Sequence, residues 1–206
     1  MQTSLPGFGV PEGLFALDDV EHARGRGWAY QLFFAVFPEP ADAQRLARLV
    51  STLRARHGLR GQPLRTERLH VTLHTVAGYR TPEVPQAVVD AACAAAGGVS
   101  GAAMPVVFDR ALSFPSSQAY VLRSDAASAR GIARLRQELG QALRRAGLRP
   151  RPSDTPHMTM LYDPGLVSEH AIEPVHWTAT RYALVLSHVG ATHHQWIAQW
   201  PLCGVR

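Results

Sequence analysis

Two segments, RLHVTLHTV at residues 68–76 and HMTMLY at residues 157–162, give the strongest indication of the fold. Each alternates polar with apolar side chains, which is typical of a β-strand that has one buried face. Because strand side chains alternate between the two faces, the residues of a His-x-Thr motif project together from their strand. The sequence therefore predicts two imidazole–hydroxyl pairs, His70 with Thr72 and His157 with Thr159.

The two motifs occupy matching points of two similar halves of the chain. Strands that alternate with helices in both halves predict an α+β fold with sheets at its centre. We expect the halves to form two lobes that face each other. The predicted strands are 28–37, 68–76, 104–114, 120–123, 157–162, 181–189 and 194–200, and the predicted helices are 41–57, 85–96 and 126–146.

Length and composition limit the class of protein. A chain of 206 residues with 46% apolar content is long enough to bury a core. Its apolar runs are shorter than the roughly 20 residues that span a bilayer, and its first residues lack a secretory signal, so we expect a cytoplasmic protein. Residues 1–27 are rich in glycine and predict a flexible arm, which leaves residues 28–206 as a single domain.

The net charge of +5 favours an anionic partner. All 21 basic residues are arginine, and the guanidinium group matches phosphate oxygens bidentately. The abundance of alanine, glycine and proline also allows a compositional origin for this bias. Two cysteines without ligand spacing argue against a disulfide scaffold and against structural zinc.

Two histidines and two threonines around one phosphate can carry out phosphodiester hydrolysis. One neutral imidazole takes a proton from the attacking water, and the other, protonated, gives one to the departing oxygen. The threonine hydroxyls can donate to the non-bridging oxygens and stabilise their growing charge. This chemistry needs no metal and no cofactor. An arginine could assist it, and the sequence does not choose among Arg65, Arg68, Arg149 and Arg151.

Other histidines and aromatic residues have two interpretations each. His74 would share the face of His70 on a regular strand, although an outer-sheet position is the simpler interpretation. His188, His193 and His194 are interpreted as turn and edge residues, since no carboxylate or cysteine completes a metal site near them. Three aromatic residues could stack on a base or fill the core, and the core is favoured: Phe33, Phe34 and Tyr120.

The chain resembles the two-histidine (2H) phosphoesterase superfamily, and most closely its RNA 2',3'-cyclic phosphodiesterases, also called 2'-5' RNA ligases. Four segments spread over residues 28–202 carry the resemblance. They are QLFFAVFPEP at 31–40, LRTERLHVTLHTVAGY at 64–79, TPHMTMLYD at 155–163 and LVLSHVGATHHQWIAQWPL at 184–202.

The resemblance implies two pseudo-symmetric lobes around a central cleft, each an antiparallel sheet with packed helices. It implies His70 as proton donor, His157 as proton acceptor, and Thr72 and Thr159 as phosphate ligands. The expected activity is hydrolysis of a 2',3'-cyclic phosphate at RNA ends to a 2'-phosphate, with reversible 2'-5' ligation in some members. We further expect a monomer without a membrane partner.

Two other functions use the same features. The four motif residues would equally serve a phosphoesterase that acts on another small cyclic or ADP-ribose-derived nucleotide. A non-catalytic RNA-binding module, or a structural partner protein, would keep the fold and the charge, but neither accounts for two intact His-x-Thr motifs.

Overall fold

The computed structural model describes residues 28–152, 155–189 and 193–203. The predicted N-terminal arm, residues 1–27, lies outside the described residues. The helices are α1 (Pro40–Arg56), α2 (Gln86–Gly97) and α3 (Ala126–Arg145), and a 3-10 turn covers Thr66–Arg68. The strands are β1 (Tyr30–Val36), β2 (Val71–Tyr79), β3 (Met104–Phe114), β4 (Ala119–Ser124), β5 (Arg151–Pro152), β6 (His157–Tyr162), β7 (His170–Ala179), β8 (Arg181–His188) and β9 (His193–Pro201).

The strands form two antiparallel sheets, which confirms the predicted α+β fold. The first sheet has the order β5-β2-β1-β8-β9 and carries the first His-x-Thr motif. The second sheet has the order β6-β4-β3-β7 and carries the second motif on its edge strand β6. Strands β5 and β7 were not predicted, so each sheet has one more strand than expected.

Local sequence explains where the long helices begin and end. Helix α1 starts at Pro40, a residue preorganised for the first helical position, and the chain leaves it at Gly58, whose φ of +64° favours glycine. Helix α3 is capped by the Asp125 carboxylate, which accepts a hydrogen bond from the backbone N–H of Ser128 at 2.8 Å. Its buried stripe consists mainly of Ile132, Leu135, Leu139 and Leu143.

The two faces of the first sheet bury different clusters. Leu32, Phe34 and Val36 of β1 belong to the main core, which also includes side chains of the second sheet and of all three helices. Phe33, Ala35 and Phe37 project from the opposite face and pack with Ala183 and Val185 of β8 in a second cluster. This second face, which we call the site face, is the one that carries His70, because the His70 ring lies 5.0 Å from that of Phe33. No helix in the described part of the chain is long and apolar enough to cross a membrane.

Candidate active site

The first motif lies at the start of β2, where the chain leaves the 3-10 turn. His70 and Thr72 are both partly exposed, between the buried residues Leu69, Val71 and Leu73. The Nδ1 atom of His70 donates a hydrogen bond to the Arg68 carbonyl at 2.6 Å. This bond fixes the ring and assigns Nε2 as the atom that can exchange a proton with a substrate.

The second motif repeats this arrangement on β6. His157 and Thr159 are partly exposed and alternate with buried Met158 and Met160. The Nδ1 atom of His157 donates to the Thr155 carbonyl at 2.8 Å, again two residues earlier in the chain. Both imidazoles are therefore held by the same local hydrogen bond, which directs Nε2 away from the backbone.

The strands that carry the motifs approach each other, although they belong to different sheets. The backbone N–H of Leu64, shortly before the first motif, donates to the carbonyl of Met160 in the second at 2.7 Å. His157 is also close enough to His70 that its charge lowers the pKa of His70. The structure thus brings the two predicted imidazole–hydroxyl pairs to one place between the sheets.

The Asp163 carboxylate links the end of β6 to the loop that precedes the first motif. Asp163, directly after β6, accepts hydrogen bonds from the backbone N–H groups of Arg60 at 2.5 Å and Gly61 at 2.6 Å. The bond from Gly61, another from the backbone N–H of Gly165 and the bond from Arg60 together hold the pKa of Asp163 below its usual range. A side chain at Gly61 would collide with the backbone carbonyl of Tyr162, so glycine allows the two segments to come this close.

The electrostatics of the site keep His70 uncharged in the free protein. Its pKa is lowered to about 4, first by burial and then by the charges of Arg68 and His157. The hydrogen bond to the Arg68 carbonyl opposes this shift without cancelling it. An anion bound between these groups would act in the opposite direction, because a nearby negative charge favours the protonated imidazole.

The part of the chain that carries both His-x-Thr motifs matches a known family. The model of the 2'-5' RNA ligase superfamily matches residues 37–190. The chain belongs to this superfamily. It is a superfamily of two-histidine phosphoesterases, which act on RNA or nucleotide phosphates, so the predicted resemblance is confirmed.

Solved structures of other proteins share the fold. Escherichia coli LigT complexed with NADP+ is 21% identical and has a TM-score of 0.63, and the match covers 85% of this chain and 99% of LigT. TT0787 of Thermus thermophilus is 19% identical with a TM-score of 0.64, and the match covers 85% of this chain and 100% of that protein. The comparison with curated proteins gave no match. At these identities the likeness establishes the two-lobed fold.

Among the four arginine candidates for the phosphate site, the structure favours Arg68, which lies beside the first motif. Its side chain is half-buried beside His70, and its Nε is buried without a hydrogen-bond partner among the described residues. Burial lowers the pKa of Arg68, and the electrostatic effects of Tyr162 and Glu67 partly offset this decrease. The other three, Arg65, Arg149 and Arg151, are exposed.

His194 lies on the edge strand β9, as interpreted from the sequence, and it also belongs to the site, which the sequence did not indicate. It is 9% exposed, and its ring meets that of His70 edge-on at 5.3 Å. Burial lowers the pKa of His194 to about 2, and the charges of His70 and Arg68 act in the same direction. Its neighbour His193 is exposed and packs against His188. No sequence pattern distinguishes the two adjacent histidines.

His74 lies on the face opposite to His70, which excludes it from the site. An irregularity in the pairing of β2 with β1 sets Phe34 against His74 and Ala35 against Thr72, so that Leu73 is an extra residue. This bulge reverses the alternation of side chains. His74 is 2% exposed, and its Nε2 donates to the Arg136 carbonyl of α3 at 2.7 Å. The outer-sheet interpretation is therefore also wrong, since His74 is interior.

The three aromatic residues fall into two groups. Phe34 and Tyr120 are fully buried in the main core, as predicted. Phe33 is also buried, but it packs on the site face against His70 and His194.

Among the described residues, no group of three or more histidine, cysteine, aspartate or glutamate side chains could hold a metal ion.

Proposed function

We propose that the protein is a metal-independent 2',3'-cyclic phosphodiesterase that opens the cyclic phosphate at RNA ends to a 2'-phosphate. One observation carries the proposal: two His-x-Thr motifs from different sheets meet, and both imidazoles are anchored through Nδ1 to the carbonyl two residues earlier. In the proposed reaction, the two Nε2 atoms and the two threonine hydroxyls act on one phosphate. Membership of a phosphoesterase superfamily supports the reaction class.

The reaction uses the two histidines as a proton acceptor and a proton donor. Nε2 of His157 accepts a proton from water as the water oxygen forms a bond to phosphorus. The bond from phosphorus to the ribose O3' breaks, and O3' takes a proton from Nε2 of His70. The products are a 2'-phosphate and a free 3'-hydroxyl. With a 5'-hydroxyl of another RNA in place of water, the same steps give a 2'-5' linkage.

The donor role of His70 depends on the substrate. In the free protein its pKa of about 4 leaves it neutral at pH 7. A bound phosphodiester supplies a negative charge beside His70 and Arg68, and this charge raises the pKa of the imidazole. Protonation of His70 is then coupled to binding, so that His70 becomes an acid only when a phosphate is present.

Three other groups stabilise the phosphate. The hydroxyls of Thr72 and Thr159 project from the same strands as the histidines and can donate to the non-bridging oxygens. Arg68 offers a guanidinium that can contact the same oxygens and balance the charge that builds on them. Donors of this kind act most strongly where water is excluded, and the buried aromatic residues of the site face, Phe33 and Phe37, help to exclude it.

We also propose that residues 28–206 act as one domain and as a monomer. A single buried cluster that includes residues of both sheets and all three helices supports one folding unit. Gel filtration coupled to light scattering tests the monomer, since a mass of about twice the 22.5 kDa of one chain would contradict it.

Product analysis tests the proposed reaction. The protein is incubated with a short RNA that ends in a 2',3'-cyclic phosphate, and the product is compared with 2'-phosphate and 3'-phosphate standards. The proposal expects the 2'-phosphate. A well-folded protein that leaves the RNA intact but opens an ADP-ribose-derived cyclic phosphate would instead identify a small-nucleotide phosphoesterase, and a protein that binds RNA without either reaction would identify a binding module.

A further inference from the structure

A small cavity lies beside the site, and the proposed proton transfers do not use it. It has a volume of about 230 Å³, below the 300–1,000 Å³ typical of pockets for drug-sized ligands. This size suits a single planar ring system. Its apolar wall consists of Phe37, Leu69 and Trp196 together with two prolines and an alanine of α1 and its entry, Pro38, Pro40 and Ala43.

Trp196 is the unusual member of this wall. It is 44% exposed, and only one other large apolar side chain among the described residues, Leu166, is comparably exposed. Its ring packs against Phe37 at 4.4 Å, which leaves the remaining surface of the indole accessible. An exposed indole at the edge of a pocket offers a face on which a base can stack.

Two residues of the cavity wall, Phe37 and Leu69, place the cavity next to His70 of the proposed phosphate site. The Phe37 ring lies 5.6 Å from that of His70, so one aromatic ring separates the imidazole from Trp196. A ribose can cover that gap, since the phosphate of a cyclic nucleotide and its base lie on opposite sides of the sugar. Four polar side chains also line the cavity, and we call them its polar rim: Gln44, Thr66, Glu67 and Arg181. They offer donors and acceptors to the edge of a base.

We propose that this cavity is a nucleobase subsite, in which the base of the nucleotide that carries the cyclic phosphate stacks on Trp196. The inference rests on the proposed function, because it assumes that the phosphate lies at His70. Stacking is tolerant of sequence, so Trp196 provides affinity for any terminal base, while the polar rim contacts the base edge. Trp196 is therefore a binding residue and takes no part in proton transfer.

The test compares substrates with and without a base. Kinetics are measured with a nucleoside 2',3'-cyclic phosphate and with 1-O-methylribose 2',3'-cyclic phosphate, which has no base. Trp196→Ala should raise KM for the nucleoside substrate roughly 10- to 100-fold, leave its kcat unchanged and leave both constants for the base-free substrate unchanged. Trp196→Phe should restore most of the affinity, because a phenyl ring also stacks. Leu166→Ala is the matched control, as it removes the other exposed apolar side chain.

Failure of the subsite and failure of the proposed function give different results. Equal effects of Trp196→Ala on both substrates, or no effect on either, would overturn the subsite while the reaction stands. If the native protein hydrolyses neither compound, binding of a nucleoside 2'-phosphate is measured by calorimetry, with inorganic phosphate as reference. Weaker nucleotide binding by Trp196→Ala with unchanged phosphate binding supports the subsite, and equal nucleotide binding by the two proteins overturns it.

Discussion

His70 and His157 are held in the same way, each through Nδ1 by the carbonyl of the residue two positions before it, at 2.6 and 2.8 Å. The two residues lie on different sheets, and no single element of the fold imposes this likeness. A hydrogen bond of this kind fixes the tautomer and directs Nε2 away from the backbone. The pair is thus prepared for two proton transfers on one bound group.

The charge of His70 should depend on whether an anion is bound. In the free protein we expect its imidazole to titrate near pH 4, because burial and the neighbouring positive charges disfavour the protonated form. Sulfate, which does not itself titrate in this range, should raise this pKa. By linkage, sulfate should bind more tightly as the pH falls from neutral towards about 4, the pKa of His70 in the free protein, because the protonated imidazole becomes more abundant.

Histidine ring signals in NMR spectra, assigned with His70→Gln, measure this titration with and without sulfate. A midpoint at the ordinary histidine value of about 6.5 in the free protein, unmoved by sulfate, would contradict these effects of burial and charge. The ring of His176, an exposed residue of β7, is observed in the same spectra for comparison.

The motif threonines should contribute to rate and little to stability. Thr72→Val and Thr159→Val keep the shape of the side chain but remove the hydroxyl donor, and loss of one such donor lowers kcat about 100-fold. Both threonines are partly exposed, so thermal unfolding should change little. Thr178→Val, at an exposed position on β7, is the control. Rates within about twofold of native for both motif variants would exclude the threonines as phosphate ligands.

Replacement of Arg68 should lower the rate of hydrolysis, whereas replacement of Arg65 should not. Arg68→Met removes a half-buried guanidinium beside His70, and we expect kcat/KM to fall roughly 100-fold, as for other donors to a developing negative charge. Arg65→Met removes a side chain that is 69% exposed, three residues earlier, and should leave the rate nearly unchanged. Arg68→Met should also raise the pKa of His70, since the charge of Arg68 lowers it. Similar rate losses in both variants would indicate only a general effect of positive charge.

Most strands and helices of the fold could be predicted because their patterns are local. The strand Met104–Phe114 and the motif strand His157–Tyr162 have the predicted bounds. Strand β7 was missed because Glu173, Pro174 and several exposed positions interrupt its apolar pattern. It is an edge strand, where proline and polar residues are tolerated because one side has no partner strand.

The composition of the site was less predictable, since it depends on contacts between distant residues. The motif spacing identified His70 and His157, but a bulge at Leu73 turned His74 to the opposite face. Strand alternation cannot reveal a bulge, because the extra residue is defined by the partner strand. His194 and Arg68 reach the site through the pairing of β8 with β9 and through the 3-10 turn, and neither leaves a pattern in the sequence.

Arg136 is expected to position Thr72, the residue directly before the bulge at Leu73. Its Nη2 donates to the Thr72 carbonyl at 2.6 Å, and Arg136 is only 6% exposed. Arg136→Met removes this buried, charge-assisted hydrogen bond, which should lower the free energy of unfolding by about 1–3 kcal/mol. Because Thr72 would then be less well placed, kcat should fall about 10-fold or more in the protein that remains folded.

Urea denaturation and kcat measurements check both effects, and Arg136→Lys should recover part of the rate by donating to the same carbonyl. Arg134→Met is the control on the same helix, with a side chain that is 82% exposed. A loss of stability without any loss of kcat at low temperature would show that Arg136 supports the fold but does not position Thr72.

Hydrolysis of a short RNA with a 2',3'-cyclic phosphate end, in the presence of EDTA, is the decisive measurement for the two-histidine mechanism. The native protein is compared with His70→Ala, His157→Ala and the control His176→Ala, which removes a histidine of β7. We predict turnover to a 2'-phosphate by the native protein and by the control, and a loss of at least about 100-fold in each motif variant. Turnover that persists in either motif variant, or that EDTA abolishes in the native protein, would contradict metal-independent catalysis by His70 and His157.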